Sequence, residues 1–269
     1  MTDAAPAADA FYEPLGGGRF ASTPATAGPW SPGLQHGGPV SALIGRALER
    51  HDPVPGTRIA RVTVEILRPV PVAPLEAAVR TVRPGRRVSL LEGELSHEGR
   101  PVVRATAWRI AAAPAGVERS DHTPAAPPLP AAASALDGWE SAHLDGYLSA
   151  MEWRLSEGRF GKPGPGGTWA RSRVPLVAGE EDTPLVRTLT LADSMSGIGS
   201  QLDLAKWLII NTDMTVALHR DPVGEWLFMR ASVNVDPNGS ALAQATLADT
   251  AGAVGRGLQT MLVDDLPAG

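Results

Sequence analysis

An α+β architecture built twice, with two helix-on-antiparallel-sheet halves joined covalently into a pseudo-dimer, is what this chain predicts. Three observations carry that expectation. The order of elements repeats along the 269 residues, an Ala/Pro-rich stretch separates the copies, and each copy reads as one helix followed by a meander of strands. The repeat is clearest where Val62-Thr63-Val64-Glu65-Ile66-Leu67-Arg68-Pro69 is laid over Met214-Thr215-Val216-Ala217-Leu218-His219-Arg220-Asp221, an offset of 152. Both are alternating β-rich runs that end in an arginine near a proline, Pro69 or Pro222. Further on, His97-Glu98-Gly99-Arg100-Pro101-Val102 meets Thr250-Ala251-Gly252-Ala253-Val254-Gly255, and both read as hairpin turns with glycine at the tip. The order of the elements repeats better than the letters do.

In chain order, Phe11 to Ser22 reads as an early strand, and Pro39 to His51 as a helix with Val40, Leu43, Ile44, Ala47 and Leu48 at helical spacing. Strands follow at about 57–70, 73–83, 86–97 and 101–112. From Ala111 to Ala135 the chain is Ala/Pro-rich without a hydrophobic period, which favours extended backbone and reads as a linker. The second half opens with strands over Met151–Phe160 and Thr168–Pro175. A helix is expected between Pro184 and Leu204, blurred by Gly197 and Gly199, then strands at about 209–220, 224–235, 239–249 and 253–264. The expected division is an N-terminal half over 1–112, a linker over 113–145 and a C-terminal half over 146–269. Each helix would bury its apolar stripe on its own sheet.

Composition narrows the chemistry. With 43% hydrophobic residues the chain can bury a core, and a net charge of −5 argues against a nucleic-acid partner. The absence of cysteine excludes disulfides, thiolate nucleophiles and cysteine metal sites. No apolar run reaches the roughly 18–20 residues of a membrane span, and Met1-Thr2-Asp3-Ala4-Ala5-Pro6 lacks the basic and apolar regions of a signal peptide. A soluble, cytoplasmic protein with no membrane partner is expected. No Gly-x-Ser-x-Gly elbow is present. Gly161-Lys162-Pro163-Gly164-Pro165-Gly166-Gly167 has its glycines in the wrong order for a phosphate loop and reads as a flexible turn. The six histidines show no His-x-x-x-His spacing, so neither metal nor cofactor is expected. Asn238-Gly239-Ser240 reads as a hairpin turn.

Two segments remain as candidates. Gln35-His36-Gly37-Gly38-Pro39 precedes the first helix. Its glycines let a ligand approach the backbone, and the free N–H groups of a helix start favour developing negative charge. The same letters also suit an ordinary loop-to-helix junction, with Pro39 in the first turn. The second is Leu191-Ala192-Asp193-Ser194-Met195-Ser196-Gly197, where Asp193 sits among apolar and small residues. A positioned carboxylate there can orient or deprotonate a water, or simply cap a short helix or face solvent. Asn211-Thr212-Asp213 starts one strand, and Gln259 is the one long polar side chain between Leu258 and Val263. Trp30, Trp108, Trp153, Trp169, Trp207 and Trp226 either line a tunnel or, the favoured reading, pack sheet against helix.

In this combination the chain resembles, over nearly its whole length, the acyl-CoA thioesterase II family, whose members carry two hotdog domains in one polypeptide. His36-Gly37-Gly38-Pro39 is similar to the Gly-Gly start of that family's first hotdog helix, and Ala192-Asp193-Ser194-Met195 to the segment with its catalytic aspartate. Asn211 to Arg220 is similar to its strand ending in His-Arg, and Leu258-Gln259-Thr260 falls where its catalytic glutamine sits. The resemblance implies a double hotdog that hydrolyses an acyl thioester. Asp193, Gln259 and Asn211 would hold the attacking water, and His36, Gly37 and Gly38 would form the oxyanion hole and acyl pocket. Where the family has threonine, this chain has Asn211. Thr212 lies one residue along, on the opposite face of a regular strand unless a bulge intervenes. Arg83, Arg86 and Arg87 are candidates for the phosphates of CoA. The resemblance also implies a homo-oligomer, a dimer of double hotdogs. A non-catalytic acyl-CoA-binding hotdog protein is the rival reading. A hotdog hydratase or dehydratase ranks lower, because no histidine lies within a few residues of Asp193.

Overall fold

The computed structural model describes residues 6–137 and 139–266. Met1 to Ala5, read above for a targeting segment, lie outside the described residues. The first half opens with β1 (Tyr12–Gly16) and β2 (Arg19–Ser22), then a short hairpin, β3 (Ala27–Gly28) and β4 (Ser31–Gln35). The helix α1 (Gly37–Arg50) follows, then β5 (Thr57–Ile66), β6 (Leu75–Arg83), β7 (Val88–His97) and β8 (Arg100–Ala111). The second half has α2 (Tyr147–Ala150), β9 (Met151–Glu157), β10 (Gly166–Ser172), α3 (Pro184–Ala192) and α4 (Met195–Ile198). It closes with β11 (Trp207–Asn211), β12 (Asp213–Leu218), β13 (Leu227–Val235), β14 (Ser240–Asp249) and β15 (Gly252–Asp265).

The strands form one thirteen-stranded antiparallel sheet in the order β1-β2-β6-β7-β8-β5-β12-β15-β14-β13-β10-β9, with β11 also on β15. Read outward from its centre, the order is the same in both directions, so the sheet has a pseudo-twofold axis between β5 and β12. The register places that axis: Thr63 pairs with Thr215, flanked by Val62 with Val216 and Val64 with Met214. Thr63 and Thr215 are separated by the same 152 residues as the sequence repeat, and their hydroxyls lie 3.0 Å apart. The axis residue therefore meets its own counterpart. This is a double hotdog, with each helix laid on its own half-sheet and the two helices packed antiparallel to each other. Val40, Leu43, Ile44 and Leu48 of α1 and Leu185, Val186 and Leu189 of α3 are buried there. Period-3.6 apolar spacing in a helix facing period-2 strands is what produces this two-layer packing.

Each central strand is interrupted at the same place. Three residues, 212–214, face only two on β15, between the pairs Asn211–Met261 and Thr215–Leu258. In the first half Ala60 is the extra residue, between Ile59–Arg109 and Arg61–Trp108. What reads in sequence as one strand over 209–220 is thus β11 and β12, bent by a bulge.

The Ala/Pro-rich segment runs along the surface of the second half in contact with it. The Ser134 N–H donates to Trp153 O and its hydroxyl accepts the Leu155 N–H, so part of the free edge of β9 is covered. At the other end of the sheet, residues 175–178 bond to Phe11 and Tyr12 beside β1. No helix among the described residues is long and apolar enough to cross a membrane.

Candidate active site

The antiparallel packing of the helices brings the start of α1, from one half, to the end of α3, from the other. Asp193 terminates α3 in right-handed helical backbone, and its own N–H bonds to Leu191 O, a tight last turn from which α4 restarts two residues on. Its side chain is buried. Gly37 and Gly38 are what let α1 come so near. A Cβ on Gly37 would stand 2.6 Å from Asp193 Oδ2, and one on Gly38 would collide with Thr190 O.

The two carboxylate oxygens of Asp193 have different surroundings. Oδ1 accepts from Asn211 Nδ2 at 2.9 Å and from Gln259 Nε2 at 2.8 Å. Gln259 is fully buried and also reaches Asp193 O at 3.3 Å, while its Oε1 has no partner. A buried acceptor left unpaired costs about 1–3 kcal/mol, which a glutamine kept only for packing would avoid. Oδ2 has His36 Nδ1 beside it, at 3.3 Å. Thr212 turns away: it is exposed, and its hydroxyl donates to Thr260 O at 3.1 Å. The bulge is present, but Asn211 is the residue that faces Asp193.

The first turn of α1 can be accounted for donor by donor. The His36 N–H goes to Thr26 O, the Gly38 N–H goes to His36 Nδ1 at 3.0 Å, and Pro39 has none. The Gly37 N–H is bonded to nothing among the described residues. Burial pushes His36 below its ordinary value of 6.5 against the opposing pull of Asp193, so the neutral ring accepts at Nδ1. Tyr147 stacks on that ring with centroids 3.7 Å apart and planes at 8°. The Tyr147 hydroxyl bonds Thr190 O and Ser194 Oγ, each at 2.8 Å, and burial raises its pKa well above the ordinary phenol value.

Asp193, Asn211, His36 and Gly37 border a cavity of about 640 Å³ between the halves. Its walls include Trp30, Trp139, Trp153 and Phe160. The indole N–H of Trp139 bonds Ser141 Oγ and that of Trp153 bonds Leu148 O, so their polar edges are satisfied and ring surface lines the space. The volume lies inside the roughly 300–1,000 Å³ usual for small-molecule sites. No group of three or more His, Cys, Asp or Glu able to hold a metal occurs among the described residues.

Comparison with known proteins meets this geometry. A model of the acyl-CoA thioesterase N-terminal domain matches residues 26–110, and one of the C-terminal domain matches residues 118–263. The chain belongs to the acyl-CoA thioesterase family. It is therefore a thioester hydrolase. Similar solved structures include an acyl-CoA thioesterase II from Mycobacterium marinum, 19% identical, with TM-score 0.67 and 96% of each chain covered. A tesB protein from Mycobacterium avium subspecies paratuberculosis is 21% identical, with TM-score 0.66 and 94% of this chain and 96% of that one covered. A hot dog protein of unknown function from Alicyclobacillus acidocaldarius is 18% identical, with TM-score 0.73 and 97% and 98% covered. At these identities the structures speak for the fold. A sequence comparison with curated proteins gives no match.

The tryptophans and arginines of this thioesterase divide by position. Of the six tryptophans singled out, Trp30 and Trp153 line the cavity. Trp169 packs on Phe228, and Trp226 lies under the guanidinium groups of Arg154 and Arg171. Trp139, not singled out, stands 4.8 Å edge-on to Trp30. A tryptophan in the expected linker, just past its Ala/Pro-rich stretch, was the available signal for it. Arg83, Arg86 and Arg87 sit at the β6–β7 turn and do not border the cavity, whereas Arg68 does. Folding places His36 beside Asp193 from the other half, so a histidine does stand next to the acid, contrary to the sequence reading that ranked a hydratase lower.

Proposed function

We propose that this thioesterase hydrolyses acyl-CoA with an aspartate-activated water, and that the acyl group occupies the aromatic-walled cavity between the halves. The observation that carries the reading is the asymmetry of the Asp193 carboxylate. Two side-chain amides hold Oδ1 and so orient the group, Oδ2 is left free of amide donors, and Asp193 borders the cavity. A water on Oδ2 would lose its proton to the carboxylate as its oxygen attacks the thioester carbon. The carbonyl oxygen would point at the Gly37 and Gly38 N–H groups at the positive end of α1. A donor of this kind is typically worth about 10²–10³ in rate, and a general base about 10²–10⁴. Collapse of the tetrahedral intermediate breaks the C–S bond and returns the proton to the leaving thiolate, with no covalent acyl-enzyme. Each methylene buried in the cavity adds about 0.8 kcal/mol to binding.

Thiol release from a panel of acyl-CoAs, acetyl to palmitoyl with aromatic acyl groups included, tests this with wild type beside Asp193→Asn. Release that depends on Asp193 is expected, with bulky or aromatic acyl groups favoured. Binding without release by the wild type would replace hydrolysis with acyl-CoA carriage.

A further inference from the structure

The Gly38 N–H that would receive the carbonyl oxygen already has a partner: His36 Nδ1, 3.0 Å away. The same nitrogen stands 3.3 Å from Asp193 Oδ2, the oxygen on which the water would lie. One atom thus sits between the proposed base and one of the two proposed oxyanion donors. It has a single lone pair in the ring plane, so it can accept from Gly38 or carry a proton toward Asp193, but not both.

Resting on the reading of Asp193 as the base, we infer that His36 couples the two halves of the chemistry. It takes the water's proton from Asp193 and thereby releases the Gly38 N–H to the oxyanion. In the resting state the neutral ring carries its hydrogen on Nε2 and accepts from Gly38. As the water O–H bond breaks and the new C–O bond forms, the proton passes through Asp193 Oδ2 to His36 Nδ1. The carbonyl π pair moves onto oxygen at the same time. A protonated Nδ1 can no longer accept from Gly38, whose N–H is then free to donate to the new negative charge. Breaking of the C–S bond returns the proton by the same route to the thiolate, and neutral His36 takes Gly38 again. Water and thioester become acid and thiol, with nothing left over.

The surroundings suit a proton station. Asp193, from the end of α3, is the charged group facing the ring, and Tyr147, from α2, covers its face. The parallel stack at 3.7 Å holds the plane of the ring, with Nδ1 in reach of both Gly38 and Asp193. Tyr147 is itself anchored by its hydroxyl to Thr190 O and Ser194 Oγ, on the segment that carries Asp193.

Two measurements decide it. Nitrogen-15 NMR of His36 in the wild type at alkaline pH is expected to show hydrogen on Nε2 and an accepting Nδ1; hydrogen on Nδ1 would overturn the proposal. His36→Asn keeps a good helix cap, since asparagine is among the best residues there, but does not titrate. It is expected to keep its melting temperature and KM while kcat falls about 10–100-fold. The wild type needs neutral His36, so its activity is lost as pH falls through the His36 pKa, which lies below 6.5. In the variant that limb moves to more acid pH. A folded His36→Asn protein with wild-type kcat and acid limb sinks the relay alone if Asp193→Asn is inactive. If Asp193→Asn is also active, the reading of the base falls with it.

Discussion

The fold contains two junctions of the same kind, and they have been put to different uses. At one, the start of α1 meets the end of α3; at the other, the start of α3 meets the end of α1. The first is capped by His36 and the second by Thr183, whose hydroxyl accepts from the Val186 N–H. In the first, the helix breaks at Asp193 and a cavity opens beside it. In the second, α1 runs unbroken for 14 residues and its end is closed by charge. Arg109, buried beneath it, donates to the carbonyls of Leu48, Glu49, His51 and Asp52. Glu49 accepts from the Thr183 hydroxyl at 2.7 Å, and Arg46 and Arg50 pair with Glu180. A homodimer of identical halves would have to accept the same compromise twice. A covalent pair can leave one junction open for chemistry and spend the other on stability.

The largest contrast is expected from the two carboxylates. Asp193→Asn should lower turnover by at least about 10² without changing the melting temperature, while Glu49→Gln should leave turnover within about a factor of two. Loss of turnover in Glu49→Gln would mean that the closed junction also takes part. Next, Gln259→Leu removes one of the two amides on Asp193 Oδ1 and relieves the unpaired Oε1. A fall in kcat of about tenfold or more is expected, with stability kept or raised; a stability loss with normal kcat would make Gln259 a packing residue.

Arg109→Leu reverses the pattern. With four carbonyl acceptors deprived of a buried cation, chemical denaturation should report a loss of about 2–4 kcal/mol with kcat little changed. Smallest of all is Thr63→Val, which deletes one hydroxyl on the pseudo-twofold axis. Less than about 1 kcal/mol is expected, because β5 and β12 keep their backbone ladder. A larger loss, with the halves melting separately, would mean that this side-chain pair is what joins them.

Most strands were legible in the sequence because one face of each is buried, so alternation survives in the letters. The pattern expected over 239–249 appears as β14, and that over 57–70 as β5, which stops at Ile66. The offset of 152 was legible for a stronger reason, since it is the separation of the two residues that meet on the axis. The site was legible only in parts. Asp193 and Gln259 stood out as polar residues in apolar company, but whether Asn211 or Thr212 faces Asp193 depends on a bulge that composition does not announce. That His36 would lie 3.3 Å from Asp193 follows from helices packing antiparallel across two halves, which no local pattern encodes. The Ala/Pro-rich stretch concealed most, because residues without periodicity give no sign of what they touch.

That stretch also bears on how the protein behaves in a crowded solution. A long antiparallel sheet ends in strands whose unused N–H and C=O groups can recruit another chain and seed fibres. Here Ser134 occupies part of the β9 edge and residues 175–178 lie against the start of β1. The peptide that tethers the halves thus also covers part of one free edge of the sheet, and a loop of the second half covers part of the other. Shortening it past Ser134 would bare the backbone groups of Trp153 and Leu155.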